Sequence, residues 1–245
     1  MSEEAILEVE GVSKYFGGLA ALDDVSFKYR GGIMGIIGPN GAGKTTLFNV
    51  ITGVYKPNRG RIIFMGRDIT NLPPHRIVKM GIARTFQIPR PFSRETVLEN
   101  VMASAIYGGE GLLGVEEAER EAERLLKLVG LSEKASVRAE SLNIFERKLL
   151  GLARALATRP RLLLIDEIVA GLTPGEVDRM IELIKSIRGE GVEVIWIEHV
   201  MRAIMRTAER VIVLDHGRLI ADGRPEEVAS NPKVIEAYLG EGYVA

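Results

Sequence analysis

The sequence predicts an α/β fold with a parallel sheet core, an N-terminal antiparallel β lobe and a helical insertion. Three observations carry it. Short alternating stretches fill the first third, a charged segment with helical spacing occupies the middle, and buried-strand runs alternate with helical periodicity in the last third.

The stretches "ILEVEGV", "ALDDVSFKYRGG" and "GRIIFMGRDI" alternate apolar and polar residues between glycines, the pattern of a half-buried antiparallel sheet. Between them "GGIMGIIG" is continuously apolar, as expected of a parallel strand covered on both faces. A helix is expected to start at Lys44 or Thr45. Beyond Ile88, Ser93 or Arg94 is expected to open a helix carrying Val97, Leu98 and Val101. After the glycine-rich break "YGGEGLLG", Ala118, Ala122, Leu125, Leu126 and Val129 recur near the 3.6-residue period within a run of Glu and Arg. Residues 88–144 are therefore read as the insertion. "RLLLID" and "VEVIWIEH" then read as buried strands flanking a helix with Met180, Ile181, Ile184 and Ile187 inward, which makes βαβ units. "RVIVLDHGRLIADG" reads as a hairpin turning at Asp215 to Arg218.

The 245 residues are 46% hydrophobic and 27% charged, enough apolar material for one large core or two modest lobes. Lys and Arg total 32 against 33 Asp and Glu, so no broad positive field favours nucleic acid. The absence of cysteine excludes disulfides, thiolate metal sites and thiol nucleophiles. The acidic start "MSEEAILEVE" lacks the order of a secretory signal, and no apolar run approaches the roughly 18 residues of a spanning helix. A cytoplasmic location is expected, with any work at a membrane done through a partner.

The loop "GPNGAGKTT" fits G-x-x-x-x-G-K-[ST] through Gly38, Gly43, Lys44 and Thr45, with a buried strand before it and a helix after it. Glycines let backbone N–H groups approach phosphate oxygens closely. Lys44 offers a point charge to terminal phosphates, Thr45 a hydroxyl to Mg²⁺, and the helix N-terminus its positive end. Asp166 closes the strand "LLLID" as a metal carboxylate, and the adjacent Glu167 can polarise water. His199, at the end of the strand "VIWI", can donate to a γ-phosphate and hold the attacking water. Gln87, after "GIARTF", can bind Mg²⁺ or water through its amide oxygen.

Taken in order, the Gly38-to-Thr45 loop, Gln87, "LLGLARAL", "LLLIDE", "AGLTP" and "IEH" resemble the ATP-binding subunit of an ATP-binding-cassette (ABC) transporter from Leu7 to about Gly240. The resemblance implies a P-loop NTPase with a RecA-like core and a single ABC ATPase domain over 1–245. Within it, 1–87 and 145–245 form the β lobe and core, and 88–144 the helical subdomain. It implies ATP and Mg²⁺ as cofactors, and nucleotide binding by Gly38, Pro39, Asn40, Gly41, Ala42, Gly43, Lys44, Thr45 and Thr46. By the same resemblance Phe16, or Tyr15 one register along, stacks on adenine. "GIARTFQ", "VLENVM", "IEHVM" and the tail "NPKVIEAYLGEG" look like the subunit of branched-chain amino acid importers, or of related urea and amide importers. Expected partners are a second ATPase subunit, two transmembrane permease subunits on whose inner membrane face the chain sits, and an extracytoplasmic solute-binding protein acting through the permease.

The family's signature usually reads LSGGQ, and the aligned stretch here is Leu142-Asn143-Ile144-Phe145-Glu146. Asn143 can cap the following helix with Glu146 as capping-box partner. Phe145 is expected to put a ring where glycine permits close backbone approach, and Glu146 to add negative charge facing phosphates. Ile168 replaces the proline that commonly follows the catalytic Glu. A heterodimer with a sequence-different ATPase is therefore expected, one site hydrolysing faster than the other. The other reading is a regulatory subunit that binds ATP mainly to hold an assembly closed, against which stands the retention of Glu167 and His199.

Overall fold

The alternation in the first third is realised as an antiparallel sheet. In the computed structural model, which describes residues 4–109 and 111–239, the strands β1 (Leu7–Phe16), β2 (Leu19–Tyr29), β4 (Arg59–Phe64) and β5 (Arg67–Asp68) pair in the order β2-β1-β4-β5. The continuous apolar run becomes β3 (Ile33–Ile37), buried at every position, and leads through the glycine loop into α1 (Lys44–Ile51).

The chain divides into two units, residues up to 74 with those from 193 onward, and residues 75–192. In the first unit β3 pairs in parallel with β8 (Glu193–Ile197) and with β9 (Arg210–Asp215), which turns back antiparallel into β10 (Arg218–Gly223). The two residues between β9 and β10, His216 and Gly217, have φ of 43° and 77°. Positive φ at both matches the twist that a two-residue hairpin demands, so the turn falls where the sequence places it. Short α7 (Met201–Met205), α8 (Pro225–Ala229) and the longer α9 (Pro232–Leu239) complete the unit. The end of the tail stretch, 240–242, lies outside the described residues.

Tyr29 binds the strand starts of this unit together. Its hydroxyl donates to the Gly32 carbonyl over 2.6 Å and accepts from the Val194 N–H over 3.0 Å. A single buried phenol thereby fixes where β3 and β8 begin relative to β2.

The second unit holds α2 (Pro74–Lys79), the parallel pair β6 (Ile82–Arg84) and β7 (Leu162–Asp166), and helices α3 (Val97–Tyr107), α4 (Val115–Val129), α5 (Ile144–Ala157) and α6 (Pro174–Gly189). On α4 the five apolar residues read from the sequence are all buried. On α6 Met180, Ile181, Ile184 and Ile187 are buried as expected. The start of α3 differs from the expectation of Ser93 or Arg94. The helix is capped by Thr96, whose hydroxyl accepts from the Glu99 N–H over 3.1 Å while Glu99 accepts from the Thr96 N–H over 2.7 Å. Asn100 explains the shift, because its side chain accepts from the Phe92 N–H and donates to the Phe92 carbonyl, holding that segment out of the helix. No described helix is long and apolar enough to cross a membrane.

Candidate functional site

In the first unit, β3 delivers the chain into a loop that has little steric freedom. A Cβ built on Gly38 would stand 2.0 Å from the Leu214 carbonyl oxygen, and one on Gly43 would stand 2.4 Å from that of Ala21. Both residues also have positive φ, so the loop is written in glycine for space and for conformation. Lys44 is buried, and its ammonium donates to the Gly38 carbonyl over 2.7 Å and the Pro39 carbonyl over 2.9 Å. The loop is thus wrapped around its own cation. Helix α1 starts on Gly43 with no side-chain cap and no acid in its first turn, which leaves its N-terminal amides to an external anion. Asn40, Gly41 and Thr45 are exposed, Pro39 and Thr46 half-buried, and Ala42 buried. From α9, Tyr238 meets the Gly38 backbone.

His199 lies two residues past β8 with its side chain exposed, and its N–H donates to the carboxylate of the fully buried Glu198 over 3.1 Å. Phe16 ends β1 and is 43% exposed, so its ring is not part of the core. Its ring meets Tyr55 edge to face at 5.2 Å, and the Lys14 ammonium lies 5.1 Å from its centroid. An exposed ring braced in this way can stack on a flat base. Tyr15 is half-buried. Sequence reasoning missed Tyr55, whose only local signal is an aromatic just after the α1 helix.

In the second unit, β7 ends on Asp166, and the next residue, Glu167, is held at φ 46°. A left-handed conformation at a non-glycine residue costs on the order of 1–3 kcal/mol and persists only where surrounding contacts enforce it. One such contact comes from Gln87, whose amide nitrogen donates to a Glu167 carboxylate oxygen over 2.7 Å. Two sequence-predicted residues 80 positions apart are therefore brought together. Asp166 accepts from the Arg84 guanidinium at Oδ2 over 2.7 Å, and its N–H donates to the Thr85 hydroxyl over 3.2 Å. Its Oδ1 is buried without a hydrogen-bond partner.

That orphaned oxygen tests the site against Mg²⁺. A buried acceptor left unmet costs roughly 1–3 kcal/mol, and a hard cation prefers such an anionic oxygen. Among the described residues no group of three or more His, Asp and Glu could hold a metal. Mg²⁺ does not need one, since it commonly takes one or two carboxylates, waters and substrate phosphates. The residues fit the ion.

The N-terminus of α5 carries the altered signature, and here one expectation is corrected. The Phe145 ring is only 7% exposed and lies under the Arg179 guanidinium at 5.2 Å, lining a 480 Å³ groove with Leu149 and Leu183. It is the side chain of Ile144, 67% exposed, that stands at the helix end. Glu146 is held by neighbours on two sides. It accepts from the Asn143 N–H over 3.0 Å and pairs with Lys134 over 2.6 Å, while Asn143 accepts from the Glu146 N–H over 2.9 Å. Burial pushes the Glu146 carboxyl up, but the hydrogen bonds from Lys134 and Asn143 outweigh it and hold the group below its ordinary value. The capping box read from the sequence is present. The segment after Glu167, where Ile168 replaces proline, is fixed by the buried Lys148, whose ammonium donates to the Ile168 and Ala170 carbonyls, each over 2.7 Å.

A buried strand, a glycine loop closed on its own lysine and an uncapped helix start define a P-loop nucleotide-binding protein of α/β class. Residues 22–170 match the ABC transporter family, and residues 218–244 match the branched-chain amino acid ATP-binding cassette transporter family. The chain belongs to the ABC transporter family. It is an ATP-binding cassette, using ATP and Mg²⁺, whose hydrolysis is coupled to transport by membrane permease partners. Similar curated proteins include a probable branched-chain amino acid transport ATP-binding protein LivG of Archaeoglobus fulgidus, 39% identical over 96% of this chain and 95% of the relative. Another is the high-affinity branched-chain amino acid transport ATP-binding protein BraF of Pseudomonas aeruginosa, 40% identical over 96% of this chain and 98% of the relative. Among solved structures, a nucleotide-free ATP-binding cassette from an ABC transporter superposes with a TM-score of 0.89 at 36% identity, covering 97% of this chain and 100% of the other. A dimeric post-hydrolysis cassette bound to ADP and phosphate is 26% identical, with a TM-score of 0.81 over 89% of this chain and 98% of the other.

Proposed function

We propose that this chain is the ATP-hydrolysing subunit of an importer for branched-chain or similarly apolar amino acids, working on the inner face of the cytoplasmic membrane. The observation that carries the solute reading is 39% and 40% identity, over nearly the whole chain, to proteins that serve branched-chain amino acid transport. The match of residues 218–244 supports it independently of the nucleotide motifs. The chain works as one domain over 1–245, in which 88–144 is the helical subdomain.

The residues take the following roles in ATP + H₂O → ADP + phosphate. The amides of the Gly38-to-Thr46 loop bind phosphate oxygens, and Lys44 leaves the carbonyls of Gly38 and Pro39 for the terminal phosphates. Thr45, Asp166 and Gln87 are the residues that would hold Mg²⁺, which when bound offsets negative charge on the phosphates. Glu167 accepts a proton from the attacking water, His199 donates to the γ-phosphate, and Phe16 stacks on adenine.

The assembly consists of two permease subunits, a second ATPase of different sequence and a solute-binding protein that delivers the amino acid from outside. Support for unlike ATPases comes from α5, whose start is closed on itself by Asn143 and Glu146 with Ile144 exposed beside them. A γ-phosphate arriving there would find the Asn143 N–H already held by the Glu146 carboxylate and the Glu146 N–H by the Asn143 side-chain oxygen. The dimeric relative bound to ADP and phosphate supports pairing as such.

Reconstitution in proteoliposomes with a permease pair, a second ATPase and a solute-binding protein tests this reading. ATP-dependent uptake of leucine, isoleucine or valine is the expected result. Uptake of urea or amides instead would replace the solute, and ATP-driven dimerisation of the isolated chain with turnover equal to the full assembly would remove the unlike partner.

A further inference from the structure

Arg84 is a buried cation in the short apolar strand β6, where an arginine is costly unless it is paired. Its backbone partner across the parallel pair is Leu164, and Asp166 lies two residues further on. Side chains two apart share a face of a strand, so Arg84 and Asp166 are diagonal neighbours on one face. Both side chains are almost fully enclosed, 6% and 5% exposed, and the guanidinium also lies against the Phe86 ring at 5.2 Å.

The pairing is one-sided. Arg84 holds Oδ2 over 2.7 Å, the Thr85 hydroxyl holds the Asp166 N–H, and Oδ1 is left buried with no hydrogen-bond partner. A carboxylate serving only to neutralise a buried arginine would gain by meeting donors at both oxygens, since the fork of a guanidinium suits bidentate pairing. Here one oxygen is anchored and the other is presented. Hydrogen-bonded outer partners of this kind fix the rotamer of a metal-binding carboxylate.

We propose that Arg84 is a positioning residue for the Mg²⁺ carboxylate: by anchoring Oδ2 it fixes the rotamer of Asp166 and leaves Oδ1 as the metal-facing oxygen. This rests on the reading that Asp166 holds the ion. Arg84 itself touches neither metal nor nucleotide in this scheme.

The test uses the full chain loaded with a non-hydrolysable ATP analogue and titrated with Mn²⁺, followed by electron paramagnetic resonance. Analogue binding in the absence of metal and the urea midpoint are recorded on the same samples. Arg84→Gln is expected to weaken Mn²⁺ binding about 10- to 100-fold, the range typical of losing an outer-sphere partner. Metal-free binding of the analogue is expected to stay unchanged. Arg84→Lys, which keeps the charge and one donor, is expected to recover most of the affinity. Folded Arg84→Gln and Arg84→Lys with unchanged or tighter Mn²⁺ binding would overturn the proposal, tighter binding identifying Arg84 as a competing cation instead. Asp166→Asn separates the two layers: if it leaves Mn²⁺ affinity intact the metal assignment of Asp166 itself fails, whereas weakening in Asp166→Asn alone sinks only the role of Arg84. Should Arg84→Gln not fold, Arg84→Met, which keeps the length and removes the donors, takes its place: a weakening of Mn²⁺ binding by about 10- to 100-fold is expected of the folded variant, and unchanged or tighter binding would overturn the proposal.

Discussion

The amide nitrogen of Gln87 donates to the carboxylate of Glu167 over 2.7 Å, and Glu167 sits in a left-handed backbone conformation at φ 46°. Strain and a dedicated donor together aim one carboxylate, which is the arrangement a positioned base requires. Glu167→Gln keeps the shape and removes the base. Turnover is expected to fall at least about 100-fold, equivalent to roughly 3 kcal/mol of barrier, with ATP binding retained. Phosphate release and equilibrium nucleotide binding on one preparation measure both, and undiminished release would exclude Glu167 from the chemistry.

Gly38→Ala places a methyl group 2.0 Å from the Leu214 carbonyl oxygen, a backbone atom that cannot swing aside. The loop must move or the fold must give, and a loss of more than about 2 kcal/mol is expected together with loss of nucleotide binding. Gly41→Ala is the contrasting case, because nothing lies within 4 Å of its added carbon and only its φ of 82° opposes the change. A loss of about 1 kcal/mol is expected there. Urea midpoints of the two variants give the comparison, and equal midpoints would contradict the crowding argument.

Phe16→Ala removes an exposed ring that Tyr55 braces edge to face. Nucleotide affinity is expected to drop by about 1 kcal/mol, roughly fivefold, and Phe16→Trp to retain it. Titration with a fluorescent ATP analogue reads the difference. Equal affinity for all three proteins would place adenine elsewhere.

Glu146 makes stability depend on pH in one direction. Burial raises its carboxyl, but the hydrogen bonds from Lys134 and Asn143 win and hold it below 4.5 in the folded chain. A group lowered on folding contributes stability above its unfolded value and loses it as pH falls through the folded one. Glu146→Gln is therefore expected to be less stable than the native chain at pH 7, with the gap narrowing below about pH 4.5. Denaturation midpoints across that range check the sign, and a gap widening on acidification would reverse it.

Much of the fold was legible because its signals are local. The periodicity of α4, the apolar run of β3 and the turn before Arg218 each follow from a few adjacent residues, and the folded chain uses them as read. The phosphate loop was legible for the same reason, since glycine spacing and Lys44 act within nine residues. The start of α3 was misplaced because Asn100, inside the helix, holds Phe92 outside it. That contact has no periodic trace. Arg84 was overlooked because one basic residue in "GIARTF" carries no pattern, and its meaning comes from a strand 82 positions away.

By itself the sequence determined the α/β class, the anion-binding loop and the carboxylates and histidine placed at strand ends. Only the tertiary structure decided how those groups are aimed: Phe145 turned beneath Arg179 while Ile144 faces outward, Glu167 held by Gln87, and Asp166 held at one oxygen with the other left open. Strand and helix periodicity follow from backbone geometry along consecutive residues, whereas the direction of a side chain depends on the donors and packing that distant segments bring to it.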